Sequence, residues 1–429
     1  SSVNVTNFNI SAQLPGINPF TNWEALREVV KDNARSEIAL TNKDFKMPQV
    51  FRANIAADYH IGYGSIGTLE LMYGKNVNEV VYKNLNMKYY EENGEIVKTI
   101  DGRNLYVNPY YDPVSSKFAN VIEMSNTNKG YQLSISAQLQ KPFNQGILPD
   151  MSFNLSYSTL QAKDLNSSTN SVALSNWQYN PVVDPNEPDL VTSNFQVDHR
   201  IMASVSYMKK WNQHLSTTIG VYYEGRSGAP FSFMYYTNSR SGYWLTGEDK
   251  KDANNDNFWS NDVVYIPGIL SSSNGWSDDK MILVNGAQMD TTTNSGKTYG
   301  ELFEEFLAQF DEVERGKISE RNQFRSAWRH NLDLKITQAF RLYGKKLEFS
   351  LDIMNLLNLL NEDWGKNEYV LYGTSNLLQF NGYETPGNAS TRIRAAYYPN
   401  AKGNTKEALY QQSDLYSRWR MQFGIRFYF

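Results

Sequence analysis

The sequence predicts an all-β fold, a transmembrane antiparallel β-barrel with long extracellular loops, on three observations. Apolar residues recur at every second position over most of the chain. The alternating runs are long, about 12 residues or more, where soluble strands average five or six. The connections between them alternate strictly between short and long, as in outer-membrane barrels.

Residues 1–47 read as an extracellular loop segment. Within it, Thr21-x-x-Glu24 is a capping box ahead of Trp23, Leu26, Val29 and Val30, so 22–31 reads as a short helix. The strands then occupy 48–429. In 48–61, Phe51, Ile55, Tyr59 and Ile61 fall on one face and Arg52, Asn54, Asp58 and His60 on the other. The run 67–83 is less clean, with Leu69, Leu71 and Tyr73 at one parity. At 130–141, Leu133, Ile135 and Leu139 oppose Ser134, Ser136 and Gln138. Alternation continues at 151–158 (Phe153, Leu155, Tyr157), 199–207 (Ile201, Val205, Tyr207) and 215–226 (Ile219, Val221, Tyr223). It returns at 331–340 (Leu332, Leu334, Ile336), 347–354 (Phe349, Leu351, Ile353) and 417–429 (Met421, Phe423, Ile425, Phe427, Phe429).

The short connections are 62–66, 142–150, 210–214 and 341–346. The long ones are 84–129, 165–197, 229–327 and 361–416. A soluble domain tolerates structureless loops of that length poorly. Charges in mid-strand (Glu224, Arg226, Asp333, Lys335, Asp352) suit a wet lumen. Aromatics toward strand ends (Tyr59, Tyr73, Tyr157, Tyr207, Trp211, Trp328, Trp419) suit interfacial girdles. The final strand runs inward, so the C-terminus is expected in the periplasm.

Nine strands fit, an odd number, and the first has no preceding partner. Single-chain bacterial barrels use even numbers, and an open edge in lipid is untenable. The expectation is therefore the C-terminal part of a larger barrel. Ser1-Ser2-Val3-Asn4 carries no signal peptide. Residues 1–12, with Val3, Val5, Phe8 and Ile10, are an alternative tenth strand.

Composition limits the function. The 429 residues carry a net charge of −4 and no basic block, which argues against nucleic acid. Cys is absent, so thiolate metal sites, disulfides and Cys nucleophiles are excluded. The four His (His60, His199, His214, His330) show no metal-binding spacing. No nucleophile elbow, P-loop or Rossmann glycine pattern is present. No catalytic residue and no enzyme is expected.

The loop 229–327 holds the candidate binding residues. Tyr235, Tyr236, Tyr243, Trp244, Phe258, Trp259, Tyr265 and Trp276 either stack on sugars or peptide side chains, or form the loop's own hydrophobic core. Glu224 and Arg226 would add lumen-facing charge, with Glu224 and Asp352 bonded to neighbouring Arg. Thr298-x-x-Glu301 is a second capping box, opening an amphipathic helix (Leu302, Phe303, Phe306, Leu307, Phe310) whose apolar face is expected to pack on neighbouring loops. Asp252, Asn254 and Asp256 begin like an EF-hand. Asn257 stands where that loop needs Gly and Val263 where it needs Glu, so an exposed acidic loop is expected, with Ca2+ as the alternative.

The terminal Arg418-Trp419-Arg420-Met421-Gln422-Phe423-Gly424-Ile425-Arg426-Phe427-Tyr428-Phe429 resembles the barrel-assembly signal of TonB-dependent outer-membrane transporters, with Phe423, Ile425, Phe427 and Phe429 at its alternate positions. Phe349 to Asn361 followed by Trp364-Gly365, Asp198-His199-Arg200, Gly225 to Phe233 and Asn261 to Pro267 are similar to the Oar-like and SusC-like branch of the Bacteroidetes. The likeness runs over most of 45–429, without a plug or TonB box. It implies a complete barrel of about 22 strands, sited in the bacterial outer membrane and bathed in its lipid. The implied partners are the TonB-ExbB-ExbD complex, reached through the missing N-terminal part, and a SusD-like surface lipoprotein or other outer-membrane subunits. The implied function is active import of a large or scarce nutrient (glycan, peptide or siderophore). The alternative is a non-transporting barrel that scaffolds a larger outer-membrane assembly.

Overall fold

A computed structural model describes residues 35–109, 112–236, 252–258 and 261–429. The expected helix at 22–31 and the alternative strand at 1–12 lie outside the described residues. Among the described residues no helix is long and apolar enough to cross a membrane.

Twelve strands join in one sheet. Its body is an antiparallel meander in chain order. The first hairpin is β2 (Gln49–Gly62) with β3 (Ser65–Asn84), and β3 also pairs β5 (Tyr131–Lys141). Then come β6 (Met151–Asp164), β7 (Arg200–Lys210) and β8 (Leu215–Arg226). It finishes with β12 (Arg329–Leu342), β13 (Lys345–Met354) and β16 (Arg420–Tyr428). These are the nine strands read from alternation, and short and long connections alternate between them as expected. Strand lengths run from 9 residues in β16 to 20 in β3.

Two of the tight turns share one solution. Tyr63 and Gly64 have φ of 52° and 79°, and Tyr343 and Gly344 have φ of 51° and 79°. Two successive positive φ angles give the turn whose twist matches that of the flanking strands. Tyr fills the first place, where Asn is commoner.

Register shows why the pattern takes this form. One row across six strands reads Phe153, Val205, Val221, Leu334, Ile353, Met421. The next row, one residue along, reads Ser152, Ser206, Gly220, Lys335, Asp352, Gln422. Every strand thus turns its apolar set to one side and its polar set to the other, which is what a side-chain period of two requires. In the central strands the apolar side is the more exposed: Leu155, Val205, Ile219 and Val221 are open, whereas Ser156, Ser206 and Gly220 are half-buried. No second layer covers it among the described residues, so this is not half of a soluble sandwich. The greasy face is the outward one of a barrel wall. The wall keeps two edges, β2 and β16, each with a single meander partner among the described residues.

Alternation did not reveal two further strands. β4 (Phe118–Thr127) lies inside the stretch 84–129 that reads as a loop, and β1 (Ser36–Thr41) pairs parallel to it. Glu79 faces Thr127 and Lys75 faces Tyr131, so β4 and β5 hold one register against β3 across a break at 128–130. The connection proper is 85–117. β13 stops at Met354, where alternation ends it, and Leu356–Leu360, within the run likened to the penultimate strand and its exit, is a helical turn.

The long loops are folded. A second sheet runs in the order β10 (Met281–Leu283), β15 (Ile393–Tyr397), β14 (Thr374–Tyr383), β9 (Pro230–Tyr236) and β11 (Phe324–Arg325). It is built wholly from 227–328 and 355–419. The helix read from its capping box spans Tyr299–Leu307, and Thr298 and Glu301 cap each other reciprocally. Its apolar face packs on the loop core as expected, with Leu302, Phe303, Phe306 and Leu307 buried. Phe231, Phe233, Phe306, Phe310 and Phe324 form the centre. Phe233 lies 4.5 Å from Phe324 and 5.3 Å from Phe231 and from Phe310, ring centre to ring centre. Phe233→Ala is expected to cost about 3–5 kcal/mol and to open this body to trypsin while the barrel wall stays folded. Equal protease resistance of the variant would contradict that core assignment.

Candidate functional site

The polar face supplies the first cluster. At the loop end of the wall Arg200 faces Arg226, and Arg226 faces Arg329, on three neighbouring strands. Glu224 accepts from Arg200 Nε at 2.9 Å, and the Arg329 guanidinium lies over the Tyr416 ring at 5.6 Å. Three guanidinium groups with one paired carboxylate leave positive charge at the lumen mouth, suited to an anionic group. Glu224 and Arg226 were legible from sequence; Arg200 was quoted within the Asp198-His199-Arg200 motif and Arg329 not at all, although both occupy polar-face positions at strand starts. Asp352 pairs with Lys335 at 2.6 Å, a lysine and not the arginine expected.

The loop aromatics divide. Tyr235 and Tyr265 are 3% and 2% exposed and belong to the loop core, so their ring faces meet protein. Tyr265 Oη donates to Asp278 at 2.9 Å, and the Tyr265 N–H donates to Tyr235 Oη at 3.3 Å. That settles these two for the loop's own core and corrects their reading as stacking platforms. Trp276 is also core, and Phe258 packs edge-on against Trp177 at 4.9 Å. Tyr236 is half-buried. Tyr243, Trp244 and Trp259 lie outside the described residues.

The acidic loop is the larger departure. Asp252, Asn254 and Asp256 are 4%, 1% and 0% exposed, not solvated. They sit in a buried network of hydrogen bonds beside the ion pairs of Arg103. Arg103 donates from Nε to Asp101 at 2.9 Å, from Nη1 to Asp262 at 3.3 Å and from Nη2 to the Val263 carbonyl. Burial opposes the Arg103 charge, but Asp101 and Asp262 outweigh it and hold the group protonated. Asp252 accepts from the N–H groups of Asn254, Asn255 and Asn257, and Asp256 from that of Phe258 and the Asn261 amide. Burial, then Asp252 and Asp262, push the Asp256 carboxyl well up. Nearby, Asp184 solves the same problem with donors alone: it takes hydroxyls from Tyr89 and Tyr106 and an amide from Asn104. Among the described residues, no three His, Asp or Glu side chains surround a single metal position.

Phe423, Ile425 and Phe427 stand exposed on the apolar face of β16, and Phe429 follows it at 97% exposure. An outward aromatic row lies nearer the loop end; sequence reading had Tyr157 and Trp328 among the girdle aromatics but missed the two His. Tyr157, His199, Trp328, His330 and Tyr223 form a chain of near-parallel rings with centre distances of 6.0 to 6.3 Å. Tyr157 Oη bonds His199 Nδ1 at 2.7 Å, and Tyr223 Oη bonds His330 Nδ1 at 2.8 Å. The signal for both His was their parity: each continues the apolar face of its strand.

Faces, registers and turns define an antiparallel β-barrel wall with a folded loop body on one end. No protein-family model matches the sequence, and no curated protein matches it. Among solved structures the chain is similar to the outer membrane transporter YddB from Escherichia coli, with a TM-score of 0.36 and 9% identity over 76% of this chain. The match covers 31% of that chain, so this chain spans about a third of its length. The assignment of fold rests on the strand registers.

Proposed function

We propose that this chain forms part of an outer-membrane barrel that imports a nutrient too large or too scarce for a passive pore, a glycan, peptide or siderophore. The observation that carries this reading is the uncovered apolar face continuous across the meander, opposite a polar face with arginines at its mouth. Lipid is the one solvent in which that face is at rest. The reading needs further strands to satisfy the edges at β2 and β16, and a plug to gate the lumen. It takes energy from the TonB-ExbB-ExbD complex, places the C-terminus in the periplasm, and lets a SusD-like lipoprotein cap the folded loops. The terminal β16 residues act as the assembly signal. TonB coupling and the Oar-like or SusC-like affiliation rest on the sequence resemblance.

The test is growth of cells carrying or lacking the full-length barrel on single glycans, peptides or iron siderophores, each with and without TonB. At least one source is expected to require both proteins. Growth that needs the barrel but not TonB would remove the energised mechanism. A barrel needed for no source, whose loss breaks up an outer-membrane complex, would point to the scaffold instead.

A further inference from the structure

We propose that the buried acidic segment formed by Asp252–Phe258 and Asn261–Asp262 binds a divalent cation, Ca2+, through Asp252, Asp256 and the amide oxygen of Asn261. Three carboxylates of this segment, Asp252, Asp256 and Asp262, are 4%, 0% and 1% exposed. Among the described residues the cation that reaches them is Arg103, and its ion pairs go to Asp101 and Asp262. Among the described residues Asp252 and Asp256 therefore have hydrogen bonds but no counter-charge, and a buried ionised carboxylate is costly without one. The second observation is Asn261, 1% exposed. Its amide nitrogen donates to Asp256 Oδ2 at 2.9 Å, and its amide oxygen is buried with no partner. Buried polar oxygens are paired as a rule, so this one, on the amide that bonds Asp256, is open to a ligand.

The donor chemistry selects the ion. Carboxylate and amide oxygens are on offer, with no thiolate and no imidazole, which suits a hard cation. Two carboxylates with an amide oxygen, completed by main-chain oxygen or water, make a Ca2+ set; the loop needs no third acidic ligand. The segment is already fixed: the Tyr106 N–H donates to the Asn254 carbonyl and the Asn255 amide to the Tyr106 carbonyl, both at 2.8 Å. A cation here would lock the connection 85–117 to the loop body.

The full barrel in detergent, stripped with EGTA, is titrated with CaCl2 by calorimetry, and its loops are digested with trypsin with and without the ion. One saturable site is expected, with Kd on the order of 10⁻⁴ to 10⁻³ M as in extracellular modules, together with slower cleavage of the loops when Ca2+ is present. Asp256→Asn and Asn261→Leu should each weaken binding about tenfold or more. Absence of saturable binding overturns the proposal, as does undiminished binding by both variants. A bound proton in place of the metal is also distinguishable. Asp256→Asn mimics the protonated acid, so it would then protect the loops whether or not Ca2+ is added, and that outcome sinks the cation.

Discussion

Val205→Arg is expected to prevent assembly of the barrel, whereas Ser204→Arg, one residue away, is expected to be tolerated. Val205 sits mid-strand in β7 between Phe153 and Val221, on the apolar face and 45% exposed. A guanidinium there would stand in hydrocarbon, at about 2–4 kcal/mol near the bilayer midplane. Ser204 lies between Asn154 and Tyr222 on the polar face, where a charge meets water. Urea titration of the barrel folded into lipid vesicles reads both variants on one scale. If Ser204→Arg were the more damaging, the two faces would be exchanged and the transport reading would go with them.

The second large effect is expected at Arg103. Its side chain is fully buried, pairs with Asp101 and Asp262, and lies 5.7 Å over the Tyr235 ring. Arg103→Met keeps the volume and strands two buried carboxylates. Removing one partner of a buried pair costs about 3–5 kcal/mol. The loop body should become protease-sensitive at neutral pH. Adding Asp262→Asn should recover a substantial part of the loss, because it removes one of the stranded charges. A single variant as protease-resistant as the parent would show that Arg103 is not what holds those acids.

The meander was readable because each strand has one wet and one greasy side, and a period of two survives in sequence whenever the two sides face different solvents. The capping box at Thr298 was readable because it is local. β9 was not. Its sequence, PFSFMYY, is buried on both faces up to Tyr235, so polar residues have no reason to alternate there. The same burial turned Tyr235 from a candidate binding residue into core. The acidic loop misled for a different reason. Its charge partner Arg103 is 159 residues from Asp262, and nothing in the spacing around Asp252 announces it. Sequence distance hid the row of arginines as well: Arg200, Arg226 and Arg329 lie on three strands and meet only through register.

On the transport reading proposed above, the shared register of β4 and β5 against β3 has a consequence for where cargo is first met. The 20 residues of β3 rise about 66 Å along the strand, or about 47 Å along the membrane normal at a tilt of about 45°, against a hydrocarbon core of about 30 Å. On this side the wall stands as a parapet about 17 Å above the greasy layer. A bulky molecule arriving from outside would be sorted at that rim, in water and beside the folded loops, before it reached the level of the lipid.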